Sequence, residues 1–203
     1  MMATTHALTG VAIAALLSLV APDVSLATVA AAAAGGVFPD LDLYAGHRRT
    51  LHYPVYSGVG AVLAAGIAFL EPSTLTLAGA LFLAAAAMHS AMDALGGGLE
   101  LRPWLGTSDR AVYSHFHGRW IAPRRWIRYD GAPEDLGLAT VMAVPALVVF
   151  DGVILAGVLG LLAVSAAYVL VRKPMVRIAE WVVDRLPEAT REFVPERFVE
   201  ELR

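Results

Sequence analysis

Long apolar blocks alternate with short polar breaks along this chain. Blocks over residues 5–21, 24–38, 55–70, 74–95, 137–150 and 152–171 are almost free of charged residues. At a rise of ~1.5 Å per residue, the first, third, fourth and sixth approach or cover a ~30 Å hydrocarbon core. The second and fifth are shorter. They predict tilted or protein-buried helices, or, for the last two blocks, a hairpin turning at Asp151-Gly152. The pattern predicts an all-α fold, a polytopic membrane bundle of about six transmembrane helices, with five as the alternative. Small residues at Ala30 to Gly36, Gly58 to Gly66 and Ala84 to Ala87 predict close helix packing.

The polar breaks set an orientation. With the N-terminus in the cytoplasm, the turns at Pro22-Asp23, Glu71-Pro72-Ser73 and Asp151-Gly152 fall outside and carry no Lys or Arg. The segments around Arg48 and Arg49, Arg102 to Arg128, and Arg172, Lys173 and Arg177 then all fall inside. That is the positive-inside arrangement, N-in and C-in. The first block lacks a positive leader and a convincing cleavage site, so it is read as a retained span. Residues 1–171 form the expected membrane domain, in the inner or plasma membrane and in contact with the bilayer, with a cytoplasmic loop over 96–135. That loop holds Trp104, Trp120, Trp126 and six arginines. It suits an interfacial anchor or a lid whose arginines meet anionic headgroups or a phosphate. Residues 172–203 alternate Val176, Ile178, Trp181, Val182, Phe193 and Phe198 with Glu and Arg, predicting an amphipathic cytoplasmic helix broken near Pro187 and Pro195.

Composition agrees with the membrane reading. Of 203 residues 58% are hydrophobic and 16% charged, where a soluble domain has about a quarter charged. A net charge of -3 without a basic tail gives no reason to expect nucleic acid. The absence of cysteine excludes disulfides, thiolate zinc sites and cysteine nucleophiles, so any metal must be held by nitrogen and oxygen.

Such ligands concentrate at one face. The stretch from Val37 to Pro54 contains Asp40, Asp42, His47 and His52 among long apolar tracts. His6 opens the first span, and His89 and Asp93 lie in the last two turns of the fourth; all fall at the cytoplasmic side. At i and i+4, His89 and Asp93 share one helix face and can reach one ion. Asp and neutral His are ligands that Zn²⁺, Mn²⁺ or Fe²⁺ accept. The candidate metal ligands are therefore His6, Asp40, Asp42, His52, His89 and Asp93. His47, Arg48 and Arg49 suit a topology anchor, and His115 and His117 suit either a second site or an interfacial role.

The ordered motifs His6-Ala-Leu-Thr-Gly10, Pro39-Asp-Leu-Asp42, His47-Arg-Arg-Thr-Leu-His52 and His89-Ser-Ala-Met-Asp93 resemble the YdjM-like family. Its members are described as inner-membrane metal-dependent hydrolases. The ligand order is also similar to that of zinc-dependent phospholipase C and its nuclease relatives. This resemblance implies Asp40 or Asp42 with His52, His89 and Asp93 around one zinc, and His6 helping to hold a second with Asp93 bridging. The expected activity is metal-assisted attack of water on a phosphoester or ester, a lipid among the candidates, at the cytoplasmic membrane face. Asp40, Asp42 and His52 are the expected catalytic residues: whichever acid is not a ligand orients the water or a liganding histidine. The competing expectation is a non-enzymatic membrane protein with a structural or transported metal ion, although the span interiors are nearly bare of the polar residues a conduction path needs.

Overall fold

Among the described residues, six α-helices form where the apolar blocks lie. A computed structural model describes residues 1–21, 24–187 and 190. The helices are α1 (Ala3–Ser18), α2 (Leu26–Val37), α3 (Tyr56–Leu70), α4 (Thr74–Leu95), α5 (Pro133–Val149) and α6 (Gly152–Arg185). The turn at Pro22-Asp23, and Phe193, Pro195 and Phe198 of the tail, lie outside the described residues. A short antiparallel hairpin in the 96–135 loop pairs β1 (Val112–Ser114) with β2 (Arg119–Ile121), Val112 opposite Ile121.

Local chemistry sets the helix ends. Ser25 and Ser73 begin α2 and α4 through capping boxes with Thr28 and Thr76, in which each side chain satisfies an orphan backbone donor. Pro133, Glu134 and Asp135 open α5, where the missing N–H costs nothing and acids meet the positive helix end. Helix α6 runs on through Lys173 and Pro174 and stops at Arg185, just before Pro187. No helix break therefore separates the apolar part of α6 from the amphipathic segment that follows it.

Helix α1 is the centre of the bundle, packed against α2, α4 and α5. Its Leu8, Val11, Ala14 and Ala15 are buried with Val29, Ala32, Leu81, Ala139, Ala143 and Ala146. Two glycines of α2 set the spacing. A Cβ on Gly35 would lie 2.1 Å from the Phe82 carbonyl oxygen of α4, and one on Gly36 would lie 2.3 Å from the His6 carbonyl oxygen of α1. Only hydrogen at both positions lets α2 wedge between its neighbours.

Outside this core, α3 has no buried residue and packs on α4. Large apolar side chains such as Val62, Leu63, Phe69 and Leu70 of α3, and Val153, Leu159 and Leu170 of α6, are exposed. Two helices, α4 and α6, are long and apolar enough to cross a membrane; α1 and α3 are shorter apolar helices.

Polar groups gather at one pole. There the Met2 N–H donates to the buried Asp135 carboxylate at 2.8 Å and the Thr5 hydroxyl to its other oxygen at 2.7 Å, pinning the start of α1 to the start of α5. The 96–135 loop closes over the end of α4, where the Arg124 and Trp126 N–H groups donate to the carbonyls of Ala94 and Leu95 at 2.9 Å each. Arg172 of α6 holds the loop by a two-pronged bond to Asp130, at 2.8 and 3.1 Å.

Candidate metal centre

Three elements build the site at this pole. The last turns of α4 present His89 and Asp93, the turn after α2 presents Asp40, and the extended stretch before α3 presents His52. One atom from each of Asp40, His52, His89 and Asp93 lies within 4.8 Å of all the others. His52, His89 and Asp93 are buried, and Asp40 is 23% exposed at the edge.

The imidazole orientations are fixed from behind. His52 Nδ1 lies 3.1 Å from Asp42 Oδ2 and His89 Nδ1 lies 2.6 Å from the Gly36 carbonyl oxygen. Both partners only accept, so each Nδ1 carries a proton and donates it. In the neutral rings this leaves both Nε2 atoms as bare lone pairs. They stand 3.0 Å apart. Asp93 Oδ2 is 3.2 Å from the first and 3.3 Å from the second, and Asp40 Oδ1 is 3.9 and 3.5 Å away. Four converging acceptors repel one another unless a proton or a metal cation lies among them.

The spacing suits such a cation. Ligands ~2.0–2.1 Å from a tetrahedral ion stand ~3.3 Å from each other, and the five separations given run from 3.0 to 3.9 Å. Histidine ligands whose far nitrogen donates to a carboxylate or carbonyl are the usual support of a metal site. A cluster of aspartates and histidines that can hold a metal ion is therefore present.

Of the two aspartates left open by the sequence, Asp40 joins the group and Asp42 turns away from it. Asp42 is buried, with Oδ1 accepting from His47 Nδ1 (3.1 Å) and the Arg48 N–H (3.2 Å). Its Oδ2 accepts from the Leu51 N–H (3.0 Å) and His52 Nδ1. Burial opposes its charge, but the bonds from His47, His52 and the Leu51 N–H outweigh it and hold the carboxyl well below the usual carboxylate range. At His52 burial likewise disfavours the charged ring, yet the bonds to Asp42 and Asp93 raise its pKa above the ordinary value.

His6 stands beside the group. Its ring stacks on His89 with centroids 3.7 Å apart, and its Nε2 lies 3.2 Å from the second oxygen of Asp93, Oδ1. Its Nδ1 is buried without a hydrogen-bond partner. The two Asp93 oxygens thus face different neighbours. Among the described residues the four-atom group is the one set of three or more such side chains close enough to share an ion, and His6 is outside it.

His115 and His117 do not approach the centre: His115 Nε2 donates to the Arg49 carbonyl at 2.7 Å, and His117 Nδ1 pairs with the Ser114 hydroxyl at 2.8 Å. Arg48, which the sequence suits to a topology anchor, is buried. Its backbone takes a positive φ of 58°, its guanidinium donates to the Gly97 carbonyl at 2.8 Å, and its Nε lies 3.4 Å from Asp93 Oδ2. That pairing is close enough for charge but is not aligned as a hydrogen bond, so Nε has no hydrogen-bond partner. The α-amino group of Met1 is 3.0 Å from Asp93 Oδ1. No sequence periodicity marks either contact.

A cavity of about 470 Å³ adjoins the exposed edge of Asp40, with His47, Arg48, Tyr168 and Arg172 among its walls. The chain matches no family model, no curated protein and no solved structure.

Proposed function

We propose that the protein is a multi-pass membrane metallohydrolase that cleaves a phosphoester or ester at the face of the membrane where its arginine-rich loops lie, the cytoplasmic side by the positive-inside rule. The observation that carries this reading is the facing pair of His52 and His89 Nε2 atoms, both with Nδ1 already committed, beside two carboxylate oxygens. Zinc fits this donor set and its spacing best, with manganese or iron as alternatives. A divalent cation held there supplies Lewis acidity, acidifying water and polarising an ester oxygen.

The chain's own residues divide the remaining work. His52, His89 and Asp93 hold the ion from the buried side. Asp40, the one partly exposed member, faces the cavity, so substrate and water reach the centre past it. Asp42 keeps His52 in the Nδ1–H tautomer and so its Nε2 free to bind. Arg48, with its charge beside Asp93 and its place in the cavity wall, is positioned to stabilise negative charge that develops on the substrate.

A structural or transported ion would use the same ligands. The cavity favours hydrolysis over a purely structural ion, because a structural site is normally closed on all sides. The nearly charge-free helix interiors disfavour transport.

The test is elemental analysis of detergent-purified protein together with hydrolysis of chromogenic phosphate mono- and diesters. Wild type should carry a divalent metal and turn over at least one ester class; His89→Ala and Asp93→Ala should lose both metal and turnover while remaining monodisperse. Equal metal content in wild type and both variants would remove the reading.

A further inference from the structure

The cavity has a direction. Three of its wall residues, Val164, Tyr168 and Arg172, follow one another at four-residue intervals on one face of α6 and span ~12 Å along the helix. They pass from a branched alkyl group through a phenol to a guanidinium. Met2 and Leu43 add to the apolar lining, and Arg48 and Asp40 add to the polar lining. Val164 is 56% exposed on a helix that is long and apolar enough to cross a membrane. The apolar end therefore runs along a surface suited to acyl chains, and the polar end reaches the candidate metal centre.

Charge at the polar end admits an anion once the centre is filled. A divalent ion offsets Asp40 and Asp93, and Arg172 offsets Asp130. Glu100, another acid of the wall, brings a negative charge: one oxygen accepts the Ser108 N–H at 3.2 Å and the other is buried without a hydrogen-bond partner. Against it stand two cations of the wall, the Met1 α-amino group and Arg48, whose buried Nε has no hydrogen-bond partner and no aligned acceptor. A phosphate ester supplies such acceptors. The volume lies within the ~300–1,000 Å³ of ordinary ligand pockets, enough for a headgroup and part of one chain.

We infer that the cavity takes a membrane amphiphile with a phosphate-ester head, its chain lying along Val164 and Tyr168 and its phosphate at Arg48 beside the metal centre. The inference rests on the hydrolase reading for the role of the ion and adds the substrate class: a lipid phosphate drawn from the bilayer and not a soluble phosphoester.

The test compares butyl phosphate with dodecyl phosphate by calorimetry on detergent-solubilised, metal-assayed protein. Wild type is set beside two cavity-filling variants, Val164→Trp and Ala3→Trp; Ala3 is an exposed wall residue in the first turn of α1. Partition of dodecyl phosphate into micelles is common to all three proteins, and its free concentration is measured so that the two phosphates can also be compared in wild type. Wild type should bind dodecyl phosphate at least about tenfold tighter than butyl phosphate. At least one variant should lose most of that preference while keeping its metal content and its affinity for butyl phosphate. The same preference in all three proteins, or none in wild type, overturns the inference. If protein without metal still shows the chain-length preference and the variants abolish it, the cavity assignment stands and the hydrolase reading falls. If metal and ester hydrolysis are present without the preference, the reverse holds.

Discussion

The carbonyl oxygen of Gly36, in the last turn of α2, accepts the Nδ1–H of His89 on α4 at 2.6 Å. The same residue backs onto α1, where a Cβ would come within 2.3 Å of the His6 carbonyl oxygen. One glycine thus sets a helix spacing and the tautomer of a candidate ligand. Gly36→Ala should force α1 and α2 apart at a cost of about 1–3 kcal/mol and lower metal affinity by moving the carbonyl. Gly58→Ala in α3, where a Cβ meets nothing, should leave metal binding unchanged and gain up to about 1 kcal/mol from helix propensity. Thermal melts with elemental analysis read both. Equal destabilisation by the two substitutions would show that helix spacing at Gly36 is not what holds His89.

Asp42 contributes from behind His52. Asp42→Asn keeps the shape but replaces one acceptor oxygen by an NH₂ group, which leaves either the Leu51 N–H and His52 Nδ1 or the Arg48 N–H and His47 Nδ1 without an acceptor. Metal affinity should fall about 10–100-fold, with metal content restored at high added metal. A loss that no amount of metal restores would instead make Asp42 a residue the fold requires.

Much of the site could be read from residue spacing, and the missing parts have identifiable causes. The i, i+4 pair of His89 and Asp93, and the alternation of spans that brings His52 and Asp40 to the same pole, depend only on helix geometry. Choosing between Asp40 and Asp42 could not be done that way. It depends on the turn after Pro39, which aims one carboxylate at the group and folds the other under the backbone of residues 48–51. The burial of Arg48 goes with a left-handed backbone at a non-glycine residue, which carries no sequence mark. Its partners, the Gly97 and Ala111 carbonyls, come from a loop 49 to 63 residues away. The small hairpin at 112–121 and the continuity of α6 through Pro174 were likewise set by tertiary context, which overrides local propensity.

Metal and protons compete for the same ring, so the metal-free and metal-loaded forms should respond to pH in opposite senses. Without metal, the pKa of His52 lies above its ordinary 6.5. A raised folded-state pKa contributes stability that is fully present below the unfolded value and is lost as pH rises through the folded one. The chelated protein should therefore lose stability as pH climbs above 6.5. Metal requires the neutral ring, so its stabilising effect should grow over the same range. Melting temperatures with chelator and with added zinc, measured from pH 6.5 upward, should diverge. Parallel curves would mean that His52 does not bind the ion.

The lack of cysteine makes the membrane arrangement directly testable, since any thiol introduced is the single one in the chain. Glu71 is exposed between α3 and α4, at the opposite end of α4 from His89 and Asp93. Thr107 is exposed in the loop that covers the metal-centre pole. If α4 crosses the bilayer with the arginine-rich segments inside, an impermeant maleimide added to intact cells should label Glu71→Cys and spare Thr107→Cys. Permeabilising the cells should make Thr107→Cys reactive. Labelling of both from outside, or of Thr107→Cys alone, would put the candidate centre on the wrong face for a cytoplasmic substrate. Labelling of neither in intact cells but of both in lysed cells would mean that α4 does not separate two aqueous compartments, and the bundle would have to bury its apolar faces against protein instead of lipid.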